Sequence, residues 1–277
     1  MRDNRHPIHA VTLDLWETLL FEREGYDAKR SQIRCRNLGR VLGEYGISIP
    51  DEKLLHALKA MGPWLAGIWE RNDEVTCVDQ IRFIVKVASG GSVEVKEEWI
   101  DRLGEAYVSA IFELPPYRNP DALALLRWLK NRGKKIGLIS NVGRTPGFAL
   151  RGLLEAEGLA EYFDVMVFSD EVGVRKPDPE IFLVVTRKLG VEPDSIVHIG
   201  DDLGSDVWGA RNAGLRVIHL SSSAGHDPLA ESDPTSLVSI SRRKPYGQRE
   251  ITPDRTIMSL SGAAKALESL EDMPSST

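Results

Sequence analysis

Between Pro116 and Leu220 the sequence alternates short apolar runs with segments of helical periodicity. The apolar runs are typical of buried strands, and the segments between them place apolar residues at the spacing of amphipathic helices. The predicted strands lie at 136–139, 165–168, 196–199 and 215–220, and the predicted helices at 121–132, 148–157, 179–189 and 207–213. Strands and helices that alternate in this way form a parallel sheet with helices on both faces. The sequence therefore predicts an α/β fold.

Residues 21–113 interrupt this alternation, directly after an apolar run that ends at Asp14. The inserted segment has helical periodicity at 53–61, 78–88 and 97–112, so we expect a separate helical cap over the edge of the sheet. The predicted core consists of residues 1–20 and 114–277, in which 221–250 form an irregular loop insertion, 259–270 a last helix and 271–277 a disordered tail.

Composition excludes several classes of function. The formal net charge is −6, whereas a protein that binds nucleic acid needs a basic face. No run reaches the length of about 18 apolar residues that suggests a membrane span, and the N-terminus lacks the apolar segment of a signal peptide. Cys35 and Cys77 lack the spacing of a metal or redox motif. We expect a cytoplasmic protein with reduced thiols that binds neither nucleic acid nor membrane; no pattern indicates an oligomeric state.

Polar residues follow two of the predicted strands. The first strand ends in Asp14, whose carboxylate can serve as a nucleophile or as a ligand of a hard metal ion. The strand at 136–139 is followed by Ser140 and Asn141, and a serine hydroxyl with neighbouring backbone N–H groups can hold the oxygens of a phosphate. A strand-end turn with local side-chain hydrogen bonds explains Ser140 and Asn141 equally well.

A lysine and an acidic cluster complete the pattern. Lys176 lies between Gly173 and a Pro-Asp-Pro segment that stiffens the chain, so it can neutralise a carboxylate and a bound anion together. The strand at 196–199 is followed by three carboxylates, those of Asp201, Asp202 and Asp206. Carboxylates that crowd one edge of a sheet repel one another and need a cation. Oxygen ligands beside a phosphate site favour Mg²⁺.

In this order the four segments resemble the motifs of the haloacid dehalogenase superfamily of hydrolases, over nearly all of residues 9–220. The resemblance implies a Rossmann-like sheet with an inserted helical cap and a mechanism through an aspartyl-enzyme. It implies that Asp14 is the nucleophile and that Lys176 bridges the nucleophile and the substrate. Thr18 and Ser140 would contact the transferring group, with Asn141 beside them.

The resemblance also implies a set of metal ligands. Asp14 and Asp201 would bind the metal directly, together with the backbone carbonyl of Trp16. Asp206, and in some arrangements Asp202, would support Asp201 or reach the metal through water.

The sequence departs from the superfamily's phosphatases two residues after the nucleophile. There they place an aspartate that protonates the leaving oxygen, and this chain has Trp16. General acid catalysis is worth about 10²- to 10⁴-fold in rate. Glu17 is a candidate replacement, although neighbouring side chains in an extended segment point to opposite faces.

The departure leaves three functions open. The acidic cluster favours a Mg²⁺-dependent phosphohydrolase that acts on a small phosphorylated metabolite and prefers good leaving groups. An aromatic residue after the nucleophile also resembles the superfamily's metal-independent 2-haloacid dehalogenases, which need an arginine from the cap. The candidates for that arginine are Arg34, Arg36 and Arg40. The third function is a protein that binds a phosphorylated ligand with impaired turnover.

Overall fold

The computed structural model describes residues 7–221 and 251–272 of the chain. In chain order the strands are β1 (Ala10–Leu13), β2 (Leu20–Phe21), β3 (Tyr117–Arg118), β4 (Lys135–Ser140), β5 (Val165–Phe168), β6 (Ile196–Gly200), β7 (Arg216–Leu220) and β8 (Arg255–Ile257). The α-helices are α1 (Tyr26–Glu44), α2 (Asp51–Trp69), α3 (Cys77–Ala88), α4 (Ile100–Glu113), α5 (Ala122–Asn131), α6 (Gly147–Ala156), α7 (Ser169–Val172), α8 (Pro179–Leu189), α9 (Gly209–Asn212) and α10 (Ala263–Glu271). One π-helical turn, Leu203–Trp208, precedes α9.

Six strands form one parallel sheet in the order β5-β4-β1-β6-β7-β8. The chain builds outward from β1 through β4 to β5 and then returns to the other side of β1 with β6. This reversal places a topological switch point between β1 and β6, where open α/β sheets bind their ligands. Leu13 is in register with Leu138 of β4 and Ile199 of β6, so the residues that follow these strands meet at one edge.

Apolar side chains cover both faces of the sheet, as expected for parallel strands that are buried on both sides. On one face α5 contributes Leu125, Leu126 and Leu129 to a cluster that includes β1 residues. On the other face α8 packs Ile181 and Phe182 into a second cluster. The predicted α/β fold with a Rossmann-like parallel sheet is confirmed.

The segment between β2 and β3 is helical and has its own hydrophobic cluster. Helices α1 and α4 pack together, as do α2 and α3, around buried side chains such as Leu38, Leu58 and Tyr107. The antiparallel pair β2–β3 joins the two points at which the chain enters and leaves this segment. The division into core and cap at residues 21 and 113 stays a prediction, and we call α1–α4 the helical layer below.

The C-terminal part of the sheet was missed in the sequence. Strand β8 adds an edge strand next to β7, but its residues Arg255–Ile257 form no apolar run that could signal a strand. Helix α10 buries Leu267 and Leu270 instead of lying freely on the surface. The described residues leave out most of the predicted loop at 221–250 and residues 273–277 of the predicted tail. Glu271, which was predicted to begin the tail, is the last residue of α10. Across 7–221 and 251–272, no helix has both the length and the apolar character of a membrane span.

Candidate active site

Asp14 lies at the switch point of the sheet. It follows β1 directly, its backbone N–H donates to the carbonyl of Ile199 over 2.9 Å, and it is almost completely buried. Asp201 follows β6 at the same edge, and Asp206 reaches this edge from the π-helical turn. One oxygen from each of these three carboxylates lies within 4.8 Å of the other two. The structure therefore brings together the acids that the sequence places after two separate strands.

Lys176 lies inside this acidic cluster. Its ammonium nitrogen donates to Asp14 over 2.5 Å and to Asp206 over 2.6 Å, and its side chain is 3% exposed. Asn141 fixes the backbone at this point, because its Oδ1 accepts from the Lys176 N–H over 2.7 Å and its Nδ2 donates to the Lys176 carbonyl over 2.9 Å. Both amide atoms of Asn141 therefore bind the backbone of Lys176, and they position the lysine in the cluster.

Asp206 is the most tightly bound acid of the cluster. Its Oδ1 accepts from Lys176 and lies 3.1 Å from Nε2 of His198, and its Oδ2 accepts from the Asp202 N–H over 3.0 Å. The carboxylate also lies against Gly200, where an added Cβ would come 2.3 Å from the Asp206 Cγ. Only glycine at position 200 therefore leaves room for Asp206 in this position.

Sequence reasoning missed His198, a fully buried histidine in β6. Its Nδ1 lies 2.9 Å from the Thr12 hydroxyl, and its Nε2 faces Asp206. Burial lowers the pKa of His198 against the opposing effect of Asp206, so the ring is neutral. The neutral ring then carries its hydrogen on Nε2 and donates to the carboxylate. A histidine within an apolar strand just before an acidic motif was the available signal.

Asp202 has a different role from the other acids. Its Oδ1 accepts from the backbone N–H groups of Gly204, over 2.9 Å, and Ser205, over 2.6 Å. These contacts cap the π-helical turn that carries Asp206. Asp202 is also not part of the group of carboxylates that lie close enough to share a metal ion.

The two predicted hydroxyl contacts are fully buried. The Ser140 hydroxyl donates to the Asn141 carbonyl over 3.2 Å. The Thr18 hydroxyl has no hydrogen-bond partner among the described residues, while the Thr18 carbonyl accepts from Asn119 over 2.8 Å. Neither residue is among those that line the cavity beside Asp14. Their predicted contact with the transferring group stays a prediction.

A cavity of about 220 Å³ opens between the sheet edge and the helical layer. The sheet side contributes the acidic cluster, Lys176 and Asn141, and the helical layer contributes Arg30, Arg34 and Trp69. Of the three cap arginines named from the sequence, only Arg34 lines this cavity. Arg36 and Arg40 are 63% and 62% exposed and pair with Glu113 and Glu44 on the surface.

Trp16 and Glu17 both line the cavity. Glu17 has a left-handed backbone with φ of 59°, and its N–H donates to the Leu20 carbonyl over 2.8 Å. The chain turns here instead of continuing as a strand. Glu17 therefore does not point away from the site as strand alternation predicts, because alternation requires an extended backbone.

The charges of the site favour a divalent cation. Burial raises the pKa of the Asp14 carboxyl to about 7, against the opposing effect of Lys176, and the charge of Asp206 raises it further. Burial works against the ammonium of Lys176 too, but Asp14 and Asp206 outweigh it and raise the pKa of this lysine. With its three acids ionised, the cluster and Lys176 together carry a net charge of −2. Carboxylate oxygens with this excess charge fit a hard ion such as Mg²⁺.

Several known proteins resemble this chain in sequence. A sequence profile of the family described as haloacid dehalogenase-like hydrolase matches residues 8–214. A phosphoserine phosphatase of Thermus thermophilus is 34% identical over 177 residues, which cover 64% of this chain and 64% of the relative. A glyceraldehyde 3-phosphate phosphatase of Methanopyrus kandleri is 37% identical over 109 residues, which cover 39% of this chain and 44% of the relative. These alignments span less than two thirds of the length of either relative.

Solved structures share the fold. A 2-haloacid dehalogenase from Pseudomonas syringae pv. Tomato has a TM-score of 0.62 at 20% identity, and the match covers 95% of this chain and 99% of that one. A HAD phosphatase from Thermococcus onnurineus has a TM-score of 0.54 at 27% identity, with 93% and 97% covered. The profile match spans well over half of the sequence, and it confirms the resemblance to the haloacid dehalogenase superfamily that the four motifs indicated. The chain belongs to the haloacid dehalogenase-like hydrolases.

Proposed function

We propose that the protein is a Mg²⁺-dependent phosphohydrolase that acts on a small phosphorylated metabolite through an aspartyl-phosphate. The observation that carries this proposal is the contact of Lys176 with Asp14 and Asp206 within an acidic cluster at the switch point of the sheet. The phosphatase names of the relatives from Thermus thermophilus and Methanopyrus kandleri support the same reaction class. We also propose a cytoplasmic location, which the free cysteines support because thiols stay reduced there.

The proposed reaction has two steps at Asp14. The carboxylate attacks phosphorus in line with the leaving oxygen, so that an Asp14 oxygen–phosphorus bond forms while the ester oxygen–phosphorus bond breaks. The leaving group departs as its oxyanion and takes a proton from solvent. Water then attacks the aspartyl-phosphate, and inorganic phosphate leaves as the carboxylate is restored. Lys176 places a positive charge beside the attacking carboxylate and the phosphoryl oxygens, where charge is stabilised most in a site closed to water.

Asp14 and Asp201 are the residues that we propose hold Mg²⁺, with the Trp16 carbonyl as a third ligand. When bound, the ion supplies positive charge to the phosphoryl oxygens and lowers the repulsion between nucleophile and substrate. A cavity of about 220 Å³ suits a small ester. The formal net charge of −6 argues against nucleic acid as a partner, because that binding needs a basic face.

The decisive experiment replaces the nucleophile. Asp14→Asn keeps the size of the side chain and a hydrogen-bond acceptor for Lys176, but an amide oxygen is not a nucleophile for this reaction. Phosphate release from p-nitrophenyl phosphate with Mg²⁺ should fall by about 10⁴-fold or more, and acid-quenched wild-type enzyme should hold covalent phosphate that the variant lacks.

Asp194→Asn is the matched control, because Asp194 is exposed and precedes β6 at the opposite edge of the sheet. This variant should keep wild-type activity. Undiminished turnover in Asp14→Asn with Mg²⁺ present would show that the nucleophile is assigned wrongly.

A 2-haloacid dehalogenase is the second candidate, favoured by the position of Arg34 in the cavity beside Trp16. A reaction that displaces halide gains nothing from Asp201 and Asp206 beside the nucleophile, so the acidic cluster argues against it. Halide release from 2-chloropropionate in EDTA separates the two functions. We expect no halide release from the wild-type protein. If 2-chloropropionate were turned over faster than phosphate esters, the dehalogenase would become the first candidate.

A further inference from the structure

Three arginines converge on one part of the cavity, which we call the arginine corner: Arg30 and Arg34 of α1, and Arg144 of the loop after β4. All three line the cavity that contains Asp14, and each is less than a tenth exposed. Guanidinium groups are rarely buried without a negative partner. The distribution of carboxylates around the corner therefore decides what it can bind.

Two of the three arginines have carboxylate partners. Arg30 forms an ion pair with Glu22. Nη1 of Arg144 donates to both oxygens of Asp27, over 2.9 and 3.0 Å. With Arg34 included, the corner has one positive charge more than it has carboxylates.

Arg34 is the arginine of the corner for which the structure describes no carboxylate partner. Among the described residues, no acidic side chain lies within ion-pair distance of it. Its Nη2 donates to the Thr145 hydroxyl over 3.2 Å, and its guanidinium lies 5.4 Å from the centre of the Tyr107 ring. Its Nε is buried and has no hydrogen-bond partner in the part of the chain that the structure describes. A buried guanidinium with an unused donor is a site for an anion.

The electrostatic surroundings of Arg34 agree with this. Burial lowers the pKa of Arg34; Arg144 and Arg30 lower it further, while Tyr107 and Asp27 act in the opposite direction. The ordinary pKa of arginine is so high that the side chain keeps its charge at neutral pH. An anion beside Arg34 would relieve both the burial of its charge and the repulsion from the neighbouring arginines.

We propose that Arg34, held by Thr145 and flanked by Arg144, binds a second anionic group of the substrate. This inference rests on the proposed function, and it narrows the substrates to short phosphate monoesters that carry a carboxylate or a second phosphate. Arginine recognises both groups through paired hydrogen bonds. The same cavity contains Asp14 and the arginine corner, and its volume of about 220 Å³ keeps the two anionic groups within a few bonds of each other.

Three esters with the same carbon chain test the proposal. Glycerol 3-phosphate ends in a neutral hydroxymethyl group, 3-phosphoglycerate in a carboxylate, and glycerol 1,3-bisphosphate in a phosphate. The measured quantity is the ratio of kcat/KM for each anionic ester to that for glycerol 3-phosphate. Hydrogen bonds to a charged group predict a ratio of about 10 to 100 for the wild-type enzyme, and the larger of the two ratios identifies the preferred anion.

Arg34→Gln should bring this ratio close to one, because it removes the charge and keeps a side chain of similar length. Arg34→Lys keeps the charge but loses the paired geometry, so its ratio should lie between those of the wild type and Arg34→Gln. Arg34→Lys also provides the test if the glutamine variant fails to fold. Arg36→Gln is the matched control, since Arg36 lies two residues along the same helix, is 63% exposed and faces Glu113. This control should keep the wild-type ratio.

The outcomes separate this inference from the proposed function. A wild-type ratio near one, or an unchanged ratio in the folded Arg34 variants, overturns the second anionic subsite while hydrolysis itself supports the phosphohydrolase. If neither these esters nor p-nitrophenyl phosphate is hydrolysed with Mg²⁺, the proposed function fails, and the subsite proposal fails with it.

Discussion

Replacement of Lys176 by methionine tests the charge balance of the site most directly. The substitution keeps the length of the side chain and removes the positive charge that lies within hydrogen-bond distance of both Asp14 and Asp206. Both carboxylates are buried, and the repulsion between them is then no longer offset by the ammonium group. The folded state should lose stability in the absence of a divalent ion and regain it when Mg²⁺ is added.

The magnitude follows from the distances. At an effective dielectric constant near 20, unit charges 2.5 Å apart attract by about 6 to 7 kcal/mol. Desolvation offsets much of this attraction, and removal of one partner from a buried ion pair costs about 3–5 kcal/mol in measured cases. For a domain of this size, each kcal/mol shifts Tm by about 2–4 °C. We therefore expect Tm of Lys176→Met in EDTA to fall by about 6–20 °C.

The loss should depend on pH. The pKa of Asp14 in the folded protein is about 7, above its ordinary value of 3.8, so between these values the folded state binds a proton that the unfolded state has released. The free energy of unfolding then decreases as pH rises through this window. Without Lys176 the pKa of Asp14 rises further, and the deficit of the variant should be larger at pH 8 than at pH 5.5.

The assay is thermal unfolding followed by circular dichroism, with EDTA and with increasing Mg²⁺. At a concentration of 100 times Kd, a ligand that binds only the folded state adds about 2.7 kcal/mol. At the same Mg²⁺ concentration, the gain in stability should be larger in Lys176→Met than in the wild type, because less positive charge repels the bound ion. Lys130→Met is the control, since Lys130 forms a partly exposed pair with Asp164 at 2.9 Å, which is worth about 0–1 kcal/mol.

Two results would refute this reasoning. The first is a Tm of Lys176→Met in EDTA that equals that of Lys130→Met. The second is a Tm that does not respond to Mg²⁺ in either the wild type or Lys176→Met. The first would mean that Asp14 and Asp206 do not depend on Lys176 for their stability, and the second that the acidic cluster is not a site for this ion.

Two further predictions concern the geometry of the site. Gly200→Ala places a Cβ 2.3 Å from Cγ of Asp206, so the carboxylate must move. We expect a loss of about 1–3 kcal/mol in stability and about 10²-fold in kcat. In the control Gly67→Ala nothing lies within 4 Å of the new Cβ, so kcat should not change, and stability should not fall because alanine favours a helix more than glycine does. Because Trp16 cannot act as an acid, kcat/KM for p-nitrophenyl phosphate should exceed that for a sugar phosphate by about 10²-fold or more. Comparable values, with a selective loss on the sugar phosphate in Glu17→Gln, would instead identify Glu17 as the proton donor.

The sheet and the position of the acids could be predicted because both follow from local patterns. Apolar runs of strand length separated by helical periodicity dictate a parallel sheet, and the carboxyl ends of its strands meet at one edge. Asp14 and Asp201 each follow such a run, so their proximity needs no knowledge of tertiary contacts. Strand β8 was missed because its three residues carry no such local pattern.

Contacts between the helical layer and the core could not be predicted. Arg144 and Asp27 are 117 residues apart in sequence, and Arg34 and Thr145 are 111 apart. Helical periodicity shows which side of α1 is apolar, but the pairing of a polar side chain depends on how α1 is placed over the sheet. Three arginines of similar spacing were therefore equal candidates in the sequence, and only the fold distinguishes the buried Arg34 from Arg36 and Arg40 on the surface.

The contacts of Asp206 distinguish the roles of the acids in the cluster. Its Oδ1 is shared by Lys176 and His198, and its Oδ2 accepts from the Asp202 N–H. A carboxylate offers about four acceptor sites, and three of those of Asp206 already accept from protein donors, which leaves one on Oδ2 for a metal ion. The geometry thus favours Asp14 and Asp201 as direct ligands. We propose that Asp206 fixes Lys176 beside the nucleophile, in a position against Gly200 where a larger residue than glycine would displace it.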